Sequence, residues 1–240
     1  MVGSGLVTVS SSSSAVIVNA CQLASVMVRG FGDLDGFMDV TRDARLNSFV
    51  IGPGNGVGKA TRARVLHLLS LKRSIVLDAD ALTSFVENPK ELFDALHEKA
   101  VLTPHAGEFD RLFRDLKGAG KHEAAQQAAK RSGAVVVLKG ADTVIARPDG
   151  QILINANAPA SLAPAGSGDV LAGLIAGLMA QGMNGFDAAS AGVWIHGEAA
   201  SLFGAGLISE DLPDLVPVVL DLLSDPGQSA DAAGGRTDNV

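Results

Sequence analysis

The feature that most constrains this chain is a recurrence. Short aliphatic runs each end in a glycine-rich or polar loop, and a helix-forming stretch follows. Phe49-Val50-Ile51 runs into Gly52 to Gly58, Ile75-Val76-Leu77 into Asp78-Ala79-Asp80, Ala100-Val101-Leu102 into Thr103 to Glu108, and Ala134 to Leu138 into Lys139 to Thr143. Continuous apolar runs of this length read as strands covered on both faces. Strands alternating with helices specify an α/β fold in three layers, a mostly parallel central sheet with helices on both faces. Such sheets bind ligands beyond the carboxyl ends of their strands, and all four loops fall on that edge.

Other stretches complete the pattern. Leu6 to Val9 reads as a first strand and Ser10 to Ser14 as a low-complexity loop. Val16 to Val28 is expected to end in a helix, and Gly30 to Asp43, rich in Gly and Asp, reads as a loop or weak element. Helices are expected over 60–71, 81–86, 90–97, 108–116 and 122–131, the last two divided by Gly118-Ala119-Gly120. Pro148-Asp149-Gly150 joins two short strands as a hairpin. Helices near 170–179, 187–203 and 211–223 close the ordered part. The expectation is one domain over residues 1–223 and a disordered tail over 224–240, which holds little to bury.

Composition narrows the function classes. A net charge of −7 without a basic run argues against a nucleic-acid surface, although backbone N–H groups can hold a phosphate without any basic excess. One cysteine, Cys21, excludes an internal disulfide framework, suits the cytoplasm and reads as a small core residue. No uncharged apolar run is long enough for a membrane span, and no basic segment followed by an apolar core marks a signal peptide. The five histidines show no metal-ligand spacing; His196 and Glu198 read as packing and surface.

The most informative candidate site is Ala165-Gly166-Ser167-Gly168-Asp169, directly ahead of the apolar helix. Pro164 cannot continue a helix from upstream, so the turn at Gly166 to Gly168 opens a new one. First-turn N–H groups and the helix dipole favour an anion there. Asp169 is then either a base beside a bound phosphate or an N-terminal helix charge. Gly52, Gly54 and Gly56 let backbone approach a ligand, or only shape a strand-to-helix turn. Asp78 and Asp80 either order magnesium waters or cap a helix, the cap being the expected role of Asp80. His105 either contacts a substrate or hydrogen-bonds its own turn, Glu108 reads as a first-turn helix charge, and Lys139-Gly140 either meets phosphate or is a solvated strand end.

Taken in order, Gly52-Pro53-Gly54 with Gly56, Leu77 to Leu82, Thr103 to Glu108, Leu138-Lys139-Gly140 with Thr143, and Ala165 to Gly173 resemble the ADP-dependent NAD(P)H-hydrate dehydratase family, which has a ribokinase-like fold. The resemblance covers residues 3–207. It implies a lyase that dehydrates the S epimer of hydrated NADH or NADPH with ADP as co-substrate and Mg2+, giving AMP and phosphate. It implies that Gly52, Gly54, Gly56 and His105 meet the hydrated dinucleotide. Lys139, Gly140, Ala141, Asp142, Thr143, Gly166, Ser167 and Gly168 would hold the adenine nucleotide, and Asp169 would act at the reacting hydroxyl. It also implies a homo-oligomer such as a tetramer, and an epimerase of the R and S hydrates as functional partner. Ala106, Asn55 and Pro164 depart from the family pattern, and members carry a strand, a Gly-rich turn and a helix ahead of the position of Gly3. The competing readings are a small-molecule alcohol kinase of the same fold and a shortened, non-catalytic nucleotide binder.

Overall fold

The computed structural model describes residues 2–224. Its central sheet has six strands in sequential order: β3 (Ser48–Ile51), β4 (Ser74–Leu77), β5 (Ala100–Leu102), β6 (Val135–Leu138), β7 (Thr143–Ala146) and β8 (Ile152–Asn155). β3 to β6 are parallel, β6 pairs antiparallel with β7 across the 139–142 loop, and β7 pairs antiparallel with β8 through the expected hairpin. A sequential parallel order with crossovers of one hand places every crossover helix on the same face. That face carries α3 (Lys59–Ser70), α4 (Asp80–Thr83), α5 (Pro89–Ala95), α6 (Ala106–Leu112) and α7 (Lys121–Ser132). After the hairpin, α8 (Ser167–Ala180), α9 (Gly185–Phe203) and α10 (Leu212–Ser224) cover the other face.

Strand alternation divides the buried residues between two cores. Ile75, Leu77, Leu102, Val136 and Leu138 pack toward the α3–α7 layer. Val76, Val101, Val135, Val137 and Ile145 pack toward α8–α10. This two-sided burial explains why these strands are apolar throughout rather than alternating. The expected three-layer fold is therefore the one observed.

The N-terminal region differs from the sequence reading. The first strand, β1, runs over Thr8–Ser12, so three of the serines expected in a loop extend the strand. α1 (Val16–Gln22) is short, and Met27–Phe31 forms a further strand, β2, parallel to β1 in a separate two-stranded sheet. Gly30 to Asp43 holds part of β2 and a regular helix, α2 (Leu34–Thr41). Asp33 caps α2 by accepting the Gly36 N–H at 2.9 Å, and Phe37 and Thr41, four residues apart, are buried. The cap and spacing were legible signals; the Gly and Asp content masked them. Cys21 is exposed rather than in the core, because α1 buries none of its residues. The expected tail lies outside the described residues beyond Ser224, and Ser224 itself closes α10.

The tightest backbone approach lies where β3 ends. Gly52 has φ 138°, and a Cβ built there would lie 1.7 Å from the Asp78 carbonyl oxygen. The neighbour is backbone at a strand end, which cannot swing away. Gly52→Ala should therefore cost about 3 kcal/mol or more, measured as a loss of unfolding free energy in urea. Gly54→Ala, where a Cβ meets nothing within 4 Å, should cost less, because only its φ of 67° is strained.

Candidate functional site

Four strand ends meet in one row. Asp78 N–H donates to Ile51 C=O at 3.2 Å, Thr103 N–H to Leu77 C=O at 3.1 Å, and Lys139 N–H to Pro104 C=O at 2.9 Å. A further bridge pairs His105 with Lys139. The ladder thus continues one or two residues past the strands and fixes the loops in register. Alternation then decides direction. Asp78 follows Val76, and Lys139 follows Val137, so both side chains leave the sheet on the α8–α10 face. They meet there: Lys139 Nζ donates to Asp78 Oδ1 at 2.9 Å, with Asp78 buried and Lys139 mostly so.

The amino end of α8 sits over this pair. Gly166, with φ 88°, forms the N-cap, and Ser167, Gly168 and Asp169 make the first turn. A Cβ on Gly168 would lie 3.1 Å from Lys139 Nζ and 3.8 Å from Asp78 Oδ2. The turn is more selective than the sequence implied. Ser167 N–H is used by Pro164 C=O at 3.2 Å and Asp169 N–H by Gly166 C=O at 3.0 Å. The Gly166 and Gly168 N–H groups make no backbone hydrogen bond among the described residues, so they are the donors free for an anion. Ser209 supports the turn from below: its hydroxyl donates to Ala165 C=O, and its Oγ lies 3.2 Å from where a Gly166 Cβ would stand. Nothing in the local sequence around Ser209 signals this role.

Asp169 projects from the turn into solvent. Partial burial is the main cause that raises its pKa above the usual 3.8, the nearby Asp78 charge adds to it, and Lys139 opposes. A carboxylate with raised pKa is a better proton acceptor than an ordinary one. His196, on α9, is buried against this region. Burial pulls its pKa down to about 4; the Ser167 backbone raises it and the Lys139 charge lowers it further. Its Nε2 is buried without a hydrogen-bond partner. His196 is thus packing, as its sequence context indicated, but packing directly behind the anion turn. Glu198 is partly buried and bonds the Asn157 amide at 2.9 Å, which with Asn155 steadies the segment leading into the turn.

The remaining candidates are distributed along the same rim. Gly56 N–H donates to Asp80 Oδ2 at 2.8 Å, and Gly52 N–H to Asn55 Oδ1 at 3.3 Å. Asp80 therefore holds the glycine loop and does not cap α4, whose N-cap lacks any side-chain bond. His105 does cap α6: Nδ1 accepts from Gly107 N–H at 3.0 Å and Glu108 N–H at 3.3 Å, while Glu108 Oε2 accepts the His105 N–H at 3.0 Å. Glu108 is accordingly the expected first-turn charge, and at the third helical position it also closes a capping box. In the neutral ring the acceptor role of Nδ1 places the proton on His105 Nε2, which lies 3.5 Å from Glu108 Oε1 on a half-exposed side chain. Gly140 to Thr143 lies farther along the edge. Thr143 Oγ1 bonds Gly140 C=O at 3.0 Å, and Lys121 pairs with Asp142 at 2.7 Å. A cavity of about 280 Å³ opens beside Lys139 and Gly140, against Phe109, Leu116 and Lys121. A larger one, about 550 Å³, lies at the opposite, amino ends of β3 to β5 and touches none of these groups.

The buried neutral His196 ties stability to pH. Its folded pKa, about 4, lies below the ordinary 6.5, so its contribution is complete above pH 6.5 and is lost as pH falls toward 4. The loss should reach on the order of 3 kcal/mol. Unfolding free energies measured between pH 7 and 4 should fall less steeply in His196→Gln than in the wild type.

Comparison with known proteins places this geometry. The NAD(P)H-hydrate dehydratase family model matches residues 1–216. The ADP-dependent (S)-NAD(P)H-hydrate dehydratase of Neisseria meningitidis is 35% identical over 209 residues, 81% of this chain and 70% of that protein. A bifunctional NAD(P)H-hydrate repair enzyme of Salinibacter ruber is 39% identical over 203 residues, 78% of this chain. The chain spans only 31% to 38% of the length of such bifunctional relatives. The crystal structure of the ADP/ATP-dependent NAD(P)H-hydrate dehydratase from Bacillus subtilis, co-crystallized with ATP/Mg2+ and soaked with CoA, superposes with a TM-score of 0.73 at 27% identity. It covers 92% of this chain and 84% of that one. The chain belongs to the NAD(P)H-hydrate dehydratase family.

Proposed function

We propose that this chain dehydrates the S epimer of NADH or NADPH hydrate to NADH or NADPH, consuming ADP and releasing AMP and phosphate. The observation that carries the reading is Asp169 beside the free Gly166 and Gly168 amides, directly over Lys139. Hydroxide is a poor leaving group, and phosphorylation makes it a good one. The terminal phosphoryl group of ADP passes to the substrate hydroxyl: the bond to AMP breaks, a new O–P bond forms, and the hydroxyl proton goes to Asp169. Elimination then breaks the C–O bond, expels phosphate and releases a proton from the neighbouring carbon to water, restoring the double bond.

In this scheme the two amides and the Lys139 ammonium stabilise charge on the phosphoryl oxygens in transit. Gly140, Ala141, Asp142 and Thr143, with Ser167, form the edge along which the nucleotide lies. Gly52, Gly54, Gly56 and His105 form the edge for the hydrated dinucleotide, with His105 Nε2–H as a donor. Magnesium enters with the nucleotide, held by phosphate oxygens and water. Among the described residues no three His, Cys, Asp or Glu side chains cluster for a metal, and Asp78 and Asp80 are occupied by Lys139 and the Gly56 amide. The same proposal includes one domain over residues 1–223, a cytoplasmic location, a homo-oligomer and an epimerase that supplies the S hydrate. No described helix is long and apolar enough to cross a membrane. Exposed Trp194, Leu202 and Phe203 on α9 are compatible with self-association.

Purified protein mixed with S hydrate should restore the reduced-nicotinamide absorbance only when ADP or ATP is present, with AMP and phosphate formed in equal amounts from ADP. Asp169→Asn should lower kcat on the order of 10²- to 10⁴-fold. An Asp169→Asn protein with wild-type turnover would exclude Asp169 as the base, and phosphorylated alcohol without dehydration would favour a kinase.

A further inference from the structure

Asp78 is a buried carboxylate of the strand-end rim that the reaction as written does not use, and unlike buried Glu108, which closes the α6 capping box, it faces a cation. We infer that Asp78 is a positioning residue, which holds the Lys139 ammonium at the amino end of α8 in the place where phosphoryl charge develops. This rests on the proposed dehydratase reading. β4 and β6 flank β5, so Asp78 and Lys139 start two strand spacings apart, about 10 Å. Thr103, the intervening residue at the end of β5, is small and fully buried, with its hydroxyl on Leu77 C=O at 3.3 Å. The four-carbon lysine arm can therefore cross above it to reach Asp78 Oδ1 at 2.9 Å. Gly168 lacks the Cβ that would press on Nζ at 3.1 Å. The Asp78 backbone is itself clamped, by Ile51 C=O on its N–H and by Gly52 against its carbonyl. Among the described residues Asp78 is thus the one hydrogen-bond partner of the ammonium, and Nζ lies against the turn.

Asp78 also fixes where Lys139 does not go. Without it, Asp169, which already feels the Lys139 charge, is a carboxylate open to the ammonium, and a pair there would quench the proposed base. Electrostatics and positioning predict different outcomes. Neutralising Asp78 removes a negative charge beside a phosphate site, so charge alone predicts tighter ADP binding and no loss of rate. Positioning predicts a slower chemical step even when ADP binds as well or better.

The test is Asp78→Asn, with Lys139→Gln and the double variant. Asp78→Asn should bind ADP in calorimetry at least as tightly as wild type, while kcat for the hydrate falls about 10- to 100-fold. Adding Asp78→Asn to Lys139→Gln should cost nothing further, since Asp78 acts through Lys139. In the free protein, the Lys139 ammonium should give a slowly exchanging ¹H–¹⁵N signal that disappears in Asp78→Asn. An unchanged kcat, a parallel loss of kcat and ADP affinity, or multiplying effects in the double variant would overturn the inference. If Asp78→Asn does not fold, Asp78→Glu keeps the charge while displacing Nζ, and wild-type kcat in that variant would overturn it equally. A wild-type protein that shows the ammonium signal but no ADP-dependent turnover would instead count against the dehydratase reading alone.

Discussion

Everything at the site depends on strands that are covered on both faces. Because β4, β5 and β6 are buried above and below, successive side chains must serve different cores, and the alternation cannot slip by one residue without burying the wrong set. Ile75 and Leu77 belong to one core and Val76 to the other. The same phase carries Asp78 and Lys139 to the face that α8 covers. A one-residue shift would turn either side chain toward the α3–α7 layer, and no ion pair would form beneath the anion turn.

On that frame the charges balance locally. The amino end of α8 and Lys139 present positive potential, and Asp78 compensates it inside the protein. Asp169 feels both, and the net effect of burial and Asp78 leaves it a stronger base than an exposed aspartate. His196 supplies bulk without charge at neutral pH, since its pKa is held near 4. A cation in its place would compete with Lys139 for the same anions. The neutral ring is instead buried next to the Ser167 backbone.

Legibility varied along the chain for physical reasons. The central strands were readable because two-sided burial makes them continuously apolar, and helix 167–180 because Pro164 and the glycines mark its start. β2 was not: Met-Val-Arg-Gly-Phe at the edge of a two-stranded sheet carries neither a continuous apolar run nor alternation, and only Phe31 is buried. α2 was hidden because its first turn is acidic and glycine-bearing. Cys21 was misplaced because a cysteine without a motif reads as a small core residue, whereas α1 buries none of its own residues.

The site divides in the same way. That Gly166 to Asp169 opens a helix able to meet an anion, and that four loops share one edge of a sheet, followed from the sequence alone, because turn chemistry and hydrophobic period are local properties. The tertiary structure decided which groups are free to act. Asp80 serves the Gly56 amide instead of a helix, His105 caps α6 through Nδ1, Ser167 spends its N–H on Pro164, and Asp78 pairs with a lysine 61 positions away. Such assignments depend on which polar groups compete for each donor in space, and only the folded chain brings those competitors together.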